Sequence, residues 1–189
     1  MSTQMESWPR RHRITVHEYH RMAEVGVLAP DARVELIEGE IIDMAPIGRD
    51  HQSIVDQLAR LLMRAVGDDA IVRIQGSVRL GEFSEPQPDV VLLKPRADFY
   101  RSAFATAQDA LLVLEVGDST LRYDRDFKAP FYARHGIAEA WVVDVGHNLL
   151  LRYDSPVDGA YRNHGSERVG VVALPGLQNV SIDLTAIWS

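Results

Sequence analysis

Two carboxylates in this sequence stand where two strands could bring them together. Asp89 opens the apolar run VVLL, and Glu115 interrupts a second apolar run, LLVLEV, with no cation beside it in the chain. A buried carboxylate without a partner costs several kcal/mol even after the protein relaxes around it. Glu115 therefore needs a partner from elsewhere in the fold, and neighbouring strands would place both carboxylates at one pocket.

A lysine on the next predicted helix could complete such a pocket. Lys128 shares one helix face with Asp124 and Tyr132, because residues four apart are neighbours on a helix surface. Carboxylate oxygens are preferred ligands of Mg²⁺ and Mn²⁺, which polarise a phosphoryl oxygen and make bound water more acidic. An ammonium group stabilises the charge that develops on the phosphate. Asp89, Glu115 and Lys128 together therefore indicate metal-dependent chemistry on a phosphate.

Each of these residues alone also has a simpler interpretation. Asp89 follows Pro88 and could be a turn residue, and Glu115 could lie at the exposed end of a partly buried strand. Asp124 and Lys128 could form an ordinary surface ion pair, worth about 0.3–0.5 kcal/mol. The order and spacing of the residues along successive elements favour the chemical interpretation.

The rest of the pattern predicts the elements that would position these residues. Helices are expected over 15–25, 51–66 and 124–135, with Thr15 and Asp50 as the N-caps of the first two. This order of helices among strands predicts a mixed α/β domain around a central sheet. The expected strands are a hairpin in RVELIEGEIIDM, then AIVRIQ, SVRL, DVVLLK, LLVLEV, EAWVVDV and LLLRYD, with a turn at SPVDG and weaker strands after it.

The composition is that of an ordinary globular protein. The chain has 189 residues, 46% of them hydrophobic and 25% charged, which fits one domain with a sizeable core. We expect residues 1–13 to form a flexible N-terminal arm and residues 14–189 to form the domain. The absence of cysteine excludes disulfides, thiolate metal sites and cysteine nucleophiles. The formal net charge of −7 argues against a broad basic face that grips nucleic acid.

Signals for several other classes of protein are missing from the sequence. It contains no GxxxxGK[ST] or GxGxxG motif, which argues against a nucleoside triphosphatase and a dinucleotide-binding enzyme. Residues 1–13 have no apolar segment typical of a secretory signal, and no apolar run approaches the ~20 residues of a membrane span. We therefore expect a cytoplasmic protein with no membrane segment.

Several segments, taken in order, resemble the Uma-two restriction endonuclease family, a branch of the PD-(D/E)XK nuclease superfamily. They are PDV, LVLEV, a D-R-x-x-K pattern at 124–128 and Y-x-x-x-G-I-x-E-x-W-V-V-D after it, with VELIEGEI and DHQSI before them and LPGL after them. The resemblance runs from about residue 33 onward. It implies an α/β fold of the α+β type, in which a mixed central β-sheet is flanked by helices and preceded by an N-terminal hairpin.

The resemblance also implies roles for residues of this chain. Asp89 and Glu115 stand at the metal-binding positions of the family, and the backbone carbonyl of Val116 would help to hold the metal. Gly117 stands where the superfamily pattern usually has lysine. The family resembled supplies the lysine from the following helix, where this chain has Lys128.

Two further residues match recurrent positions of the family. Glu35 in the hairpin would be another metal ligand or an orienting group. His51 at the start of a helix would contact a phosphate or a metal-bound water. A first-turn histidine beside an N-cap Asp50 explains His51 equally well.

The resemblance thus implies an endonuclease that hydrolyses phosphodiester bonds with Mg²⁺ or Mn²⁺, in DNA in preference to RNA. Cutting both strands of a duplex takes two sites or two events, so a homodimer is plausible. Two alternatives stay open. One is a module that keeps the nuclease fold and binds nucleic acid or a protein without cutting, and the other is a metal-dependent phosphohydrolase of a small molecule.

Overall fold

The fold is built on a six-stranded sheet with helices on its two faces. A computed structural model describes residues 11–168 and 170–188 of the chain. The helices are α1 Val16–Glu24, α2 Arg49–Val66, α3 Leu121–Tyr123 and α4 Ala129–Arg134, with a π-helical turn at Asp124–Lys128 and a 3₁₀ turn at Leu184–Trp188. The strands are β1 Val34–Ile37, β2 Glu40–Asp43, β3 Ile71–Ile74, β4 Val90–Leu93, β5 Ala110–Gly117, β6 Glu139–Asp144, β7 Leu149–Val157, β8 Ala160–Arg168, β9 Val171–Ala173 and β10 Ser181–Asp183.

The central sheet is mixed, and its strands follow one another in the order β3-β4-β5-β6-β7-β8. Every neighbouring pair is antiparallel except β5 with β6. Because a parallel pair needs a crossover connection, the helical stretch from α3 through α4 joins β5 to β6. The hairpins β1–β2 and β9–β10 form two small separate sheets. The predicted mixed central sheet with an N-terminal hairpin is therefore confirmed.

Apolar side chains cover both faces of the central strands. Leu92 and Leu114 pack in the cluster that contains α2, whereas Val91 and Val113 pack on the opposite face with Phe131 of α4. Successive side chains of a strand point to opposite faces of a sheet. Strands that are buried on both faces carry continuous apolar runs, which is the pattern that VVLL and LLVLEV show.

One predicted helix start is wrong. Helix α2 begins at Arg49 with Gly48 as its N-cap, so Asp50 does not cap it and lies in its first turn. A negative charge in the first turn is favourable, because the N-terminal end of a helix carries partial positive charge. Asp50 therefore stabilises the helix through its charge within the first turn and does not act as the cap.

Two expected strands also differ from the structure. SVRL forms no strand, because the N–H groups of Val78 and Leu80 donate to the carbonyls of Pro86 and Ser84 within one loop. The predicted turn SPVDG is shorter in the structure: strand β7 continues to Val157, and the chain reverses at Asp158 and Gly159. The described residues contain no helix that is long and apolar enough to cross a membrane.

The hairpin turn between β1 and β2 packs against the start of the described chain. Glu38 and Gly39 have φ values of 50° and 85°, as a two-residue turn with both residues at positive φ requires. Arg13 Nε donates to the Glu38 carbonyl at 2.9 Å, and its guanidinium lies 4.1 Å from the centre of the Phe83 ring. Residues 1–10 of the predicted flexible arm lie outside the described residues.

We expect Gly39→Ala to destabilise the protein by about 1–2 kcal/mol or more, because a left-handed backbone is unfavourable for alanine. The added Cβ would also lie 2.7 Å from Arg13 Cβ and 3.0 Å from Arg13 Cα. Urea denaturation measures the loss. Gly165→Ala is the control, because a Cβ there meets nothing within 4 Å. Equal stability of both variants would contradict the expectation.

Candidate active site

The alternation of β5 directs Glu115 towards the helical stretch that carries Lys128. Leu114 and Val116 belong to the α2 side of the sheet, so Glu115 shares the opposite side with Val113. That opposite side is covered by α4. Glu115 is only 3% exposed, and the alternative of an exposed strand end is therefore wrong.

The antiparallel register of β4 and β5 places Asp89 across from Glu115. Asp89 immediately precedes Val90, which pairs with Leu114. The N–H of Asp89 donates to Glu115 Oε2 at 3.4 Å, and the N–H of Val116 donates to Asp89 Oδ2 at 2.8 Å. Each carboxylate is thus held by the backbone of the neighbouring strand.

A π-helical turn aligns the polar residues of the crossover. An α-helix advances about 100° per residue, so residues four apart drift by about 40° around its axis. The wider turn at Asp124–Lys128 contains one extra residue and reverses that drift. Asp124, Lys128 and Tyr132 therefore stay in one stripe that faces the site, with Thr120 one turn before them.

Lys128 is the buried partner that Glu115 requires. Its Nζ lies 3.2 Å from Glu115 Oε1 and 3.1 Å from Glu35 Oε2. The Tyr132 hydroxyl also donates to Glu115 Oε1, and the N–H of Gln87 donates to Glu35 Oε2 at 3.1 Å. Lys128 is 4% exposed, so these contacts form a buried bridge and the alternative of a surface ion pair is wrong.

The cation of this bridge is a lysine, although arginine is the commoner basic residue in the chain. The chain contains 20 lysines and arginines, and only Lys94 and Lys128 are lysines. An ammonium group is a compact charge with three donors, whereas a guanidinium presents a rigid planar fork. With two donors directed at Glu35 and Glu115, the third N–H of Lys128 is available for another acceptor in the site.

His51 contacts Asp89, whereas Lys128 contacts Glu35 and Glu115. Its Nε2 lies 3.1 Å from Asp89 Oδ2, in the first turn of α2. The hydrogen bond with Asp89 raises the pKa of His51 above its ordinary value, although burial acts in the opposite direction. The predicted contact of His51 with a phosphate or a metal-bound water stays a prediction.

All five predicted side chains line one cleft of about 240 Å³. The loop between β2 and α2 forms one wall, and the segment that follows β5 forms another. The five are Glu35, Asp89, Glu115, Lys128 and His51, and the cleft is completed by Arg33, Ile42, Asp43, Met44, Ala45, Pro46, Ile47, Gly48, Gln87, Asp118, Ser119, Thr120, Tyr123 and Asp124.

The cleft holds more negative charge than its cations neutralise. Burial raises the pKa of Glu115 to about 8, although Lys128 opposes the rise. Burial also raises the pKa of Asp124 to about 6, against a hydrogen bond from Thr120. Burial opposes the charge of Lys128, but the attraction of Glu115 and Glu35 outweighs it and raises the lysine pKa. The carboxylates therefore favour uptake of a proton or of another cation.

The donor set fits a hydrated divalent cation with few protein ligands. In the described part of the chain, no three His, Asp or Glu side chains are arranged to enclose an ion. Mg²⁺ keeps several waters and is usually held by one or two carboxylates and a substrate phosphate, so no such cage is needed. Asp89 and Glu115 present two adjacent carboxylates in the negatively charged cleft, which suits an ion of this kind.

The structure gives site positions to three residues for which the sequence predicted no role in the site. Asp124 lines the cleft and is 4% exposed, and Tyr132 binds Glu115 directly. Their spacing from Lys128 was the signal that could have included them. Tyr123 also lines the cleft, and its buried hydroxyl has no hydrogen-bond partner among the described residues. No pattern in the sequence marked Tyr123.

The fold and its cleft define a restriction-endonuclease-like protein. A crystal structure of a "putative nuclease belonging to DUF820" from Anabaena variabilis superposes on this chain with a TM-score of 0.73. The match covers 93% of this chain and 97% of that chain at 16% sequence identity, a level at which the likeness shows the fold alone.

The family follows from the sequence. A family model described as "Uma2: Putative restriction endonuclease" matches residues 16–185, and the chain therefore belongs to the Uma2 family. No curated protein matches the sequence. The resemblance stated from the motifs is thus confirmed, while the roles of the individual site residues stay predictions.

The raised pKa of Glu115 predicts a specific pH dependence of stability. Its folded-state pKa is about 8 against an ordinary value of 4.5, so the folded state binds this proton more tightly than the unfolded state does. The stabilisation is complete below the ordinary pKa and is lost as the pH rises through the folded-state pKa. Relative to Glu115→Gln, the wild type should lose stability between about pH 5 and pH 8, on the order of 1 kcal/mol per pH unit at most.

Urea denaturation across that pH range measures the difference between the two proteins. Glu24→Gln is the matched control, because Glu24 is exposed and its variant should differ from the wild type by a constant amount. A difference between wild type and Glu115→Gln that stays constant or grows with pH would contradict the expectation.

Proposed function

We propose that this protein is a Mg²⁺- or Mn²⁺-dependent endonuclease that hydrolyses phosphodiester bonds in DNA. The observation that carries the proposal is the buried lysine bridge beside a third carboxylate: Lys128 contacts Glu35 and Glu115, and Asp89 lies across from Glu115. The Uma2 family description and the nuclease fold support the same activity. We choose DNA as the substrate because the family is described as one of restriction endonucleases.

Asp89 and Glu115 would hold the metal, with help from the carbonyl of Val116. When bound, a divalent ion supplies Lewis-acid activation of the phosphate and of a water molecule. His51 orients Asp89, because its Nε2 donates to Asp89 Oδ2. Glu35 helps to orient Lys128 through its contact with Nζ.

The chemistry of hydrolysis assigns a role to Lys128. A water oxygen forms a bond to phosphorus, the bond from phosphorus to one sugar oxygen breaks, and the phosphate carries additional charge in the transition state. The third N–H of Lys128 would stabilise that charge, while its contacts with Glu35 and Glu115 hold the ammonium in place. A positioned ammonium is effective here because it is 4% exposed and water screens it little.

The burial of the charges favours an enzyme over a module that binds without cutting. Surface cations are sufficient to hold a phosphate backbone, whereas burying two carboxylates and a lysine carries a large desolvation cost. Groups with such perturbed pKa values concentrate at catalytic sites. A homodimer that cuts both strands of a duplex stays a prediction from the sequence.

We expect the protein to nick supercoiled plasmid and to cut single-stranded circular DNA when Mg²⁺ or Mn²⁺ is added. Asp89→Asn and Lys128→Gln should each lower the rate by about 100-fold or more, because each removes a group that contacts the metal or the transition state. Gel analysis of the DNA over time measures the rates.

Two matched controls accompany these variants. Asp56→Asn and Lys94→Gln make the same chemical changes at exposed positions outside the cleft and should cut as the wild type does. Cleavage that persists in both site variants would mean that the site residues are wrong. A folded wild type that cuts neither DNA nor RNA would reject the nuclease function.

Metal binding can be tested without DNA. Millimolar Mg²⁺ or Mn²⁺ should raise the melting temperature of the wild type by several degrees, because a ligand that binds only the folded state stabilises it. Asp89→Asn should lose most of this increase, and Asp56→Asn should keep it. Differential scanning fluorimetry measures the shift, and an equal increase in all three proteins would place the ion elsewhere.

A further inference from the structure

We propose that the cleft accepts one unpaired nucleotide, so that the enzyme cuts single-stranded or locally unpaired DNA. This inference rests on the proposed nuclease function and adds the class of substrate. Three features of the described residues support it: the depth of the charged groups, the apolar wall of the same cleft, and the charge of the chain.

The charged groups lie at the base of the cleft. Glu35 is 2% exposed and Asp89 is 8% exposed, with Glu115 and Lys128 between these values. The phosphates of a stacked duplex are carried on a stiff rod that bends only at an energetic cost. A flexible single strand can bend one phosphate into a recess of about 240 Å³. The depth of the site therefore favours an unpaired nucleotide.

One wall of the same cleft is apolar and accessible. Residues 44–47, together with Ile42, present hydrophobic side chains to the cleft. Ile47 is 37% exposed, so a ligand can reach it. Arg33 holds this wall in place, because its Nη1 donates to the carbonyl of Ala45 at 3.0 Å.

An apolar wall and a charged phosphate site in one cleft match the two parts of a nucleotide. Proteins that act on an unstacked base hold it against aromatic and apolar side chains. In an intact duplex each base is stacked and paired, so its face is unavailable to Ile47. The wall therefore offers a binding surface that only an unpaired nucleotide can use.

The charge of the chain is also consistent with this substrate. A protein that grips a duplex neutralises many phosphates with lysine and arginine. This chain has a net charge of −7, and the cleft contains one arginine and one lysine, of which Lys128 is already bound to two carboxylates. Affinity must therefore come from a few close contacts in the recess, which a single nucleotide can provide.

The test compares one oligonucleotide in its single-stranded form with the same oligonucleotide in a blunt duplex. The proteins are the wild type, Ile47→Asp and the control Val157→Asp, which makes the same change at a residue of similar exposure outside the cleft. Both positions are partly exposed, and thermal unfolding checks that both variants fold.

We expect the wild type to cut the single strand at least about tenfold faster than the duplex. Ile47→Asp should raise KM for the single strand by about tenfold with little change in kcat, the size expected for loss of one base contact. Val157→Asp should match the wild type. A purely structural role of Ile47 would lower melting temperature and leave KM unchanged.

Other results would overturn the inference in distinguishable ways. A duplex cut as fast as the single strand would overturn the substrate class while leaving the nuclease function intact. Equal KM values for Ile47→Asp and Val157→Asp would overturn the role of the apolar wall. Absence of cleavage of both substrates by the folded wild type would reject the nuclease function, and this inference with it.

Discussion

The buried bridge from Glu35 through Lys128 to Glu115 is the interaction on which the rest of the site depends. Its members come from β1, from the π-helical turn and from β5. Removing one member of a buried ion pair leaves a charge uncompensated and costs about 3–5 kcal/mol. The hairpin β1–β2 is a separate small sheet, and this bridge ties it to β5 and the crossover through charge, in addition to the backbone bridge between Leu36 and Glu85 and the packing of Ile37 in the core. The same three groups thus contribute to both the fold and the site.

Much of this arrangement could be predicted from local pattern. The continuous apolar runs identified β4 and β5 as buried strands, and the unpaired Glu115 within one of them required a cation from elsewhere in the fold. The helix of the crossover must pack back on the sheet, and Lys128 shares one face of that helix with Asp124 and Tyr132, which made it the candidate cation. The Uma2 motifs then added Glu35 and His51, whose positions in the same cleft agree with that expectation.

The features that the sequence did not predict depend on the helical phase of the crossover, on which residue caps α2 and on how a loop forms its backbone hydrogen bonds. The π-helical turn that aligns Asp124 with Lys128 has no composition of its own, because it is an insertion into a regular helix. Gly48 and Asp50 are both acceptable N-caps by residue type, and the path of the preceding loop selects Gly48. The loop with Val78 and Leu80 resembles a strand in sequence because its buried residues alternate, although its backbone forms bonds within the loop and a single isolated bridge from Arg79 to Thr106. Tertiary context decides each of these cases.

The π-helical turn at Asp124–Lys128 has a consequence for how this chain tolerates change in length. Shortening that turn by one residue would return the crossover to a regular α-helix and rotate everything before or after it by about 100°. The ammonium group would then leave the carboxylates even though every chemically important residue were still present. The number of residues between β5 and Lys128 is therefore as strict a requirement as the identity of Asp124 and Lys128, whereas the exposed Arg125 and Asp126 should tolerate substitution better than deletion.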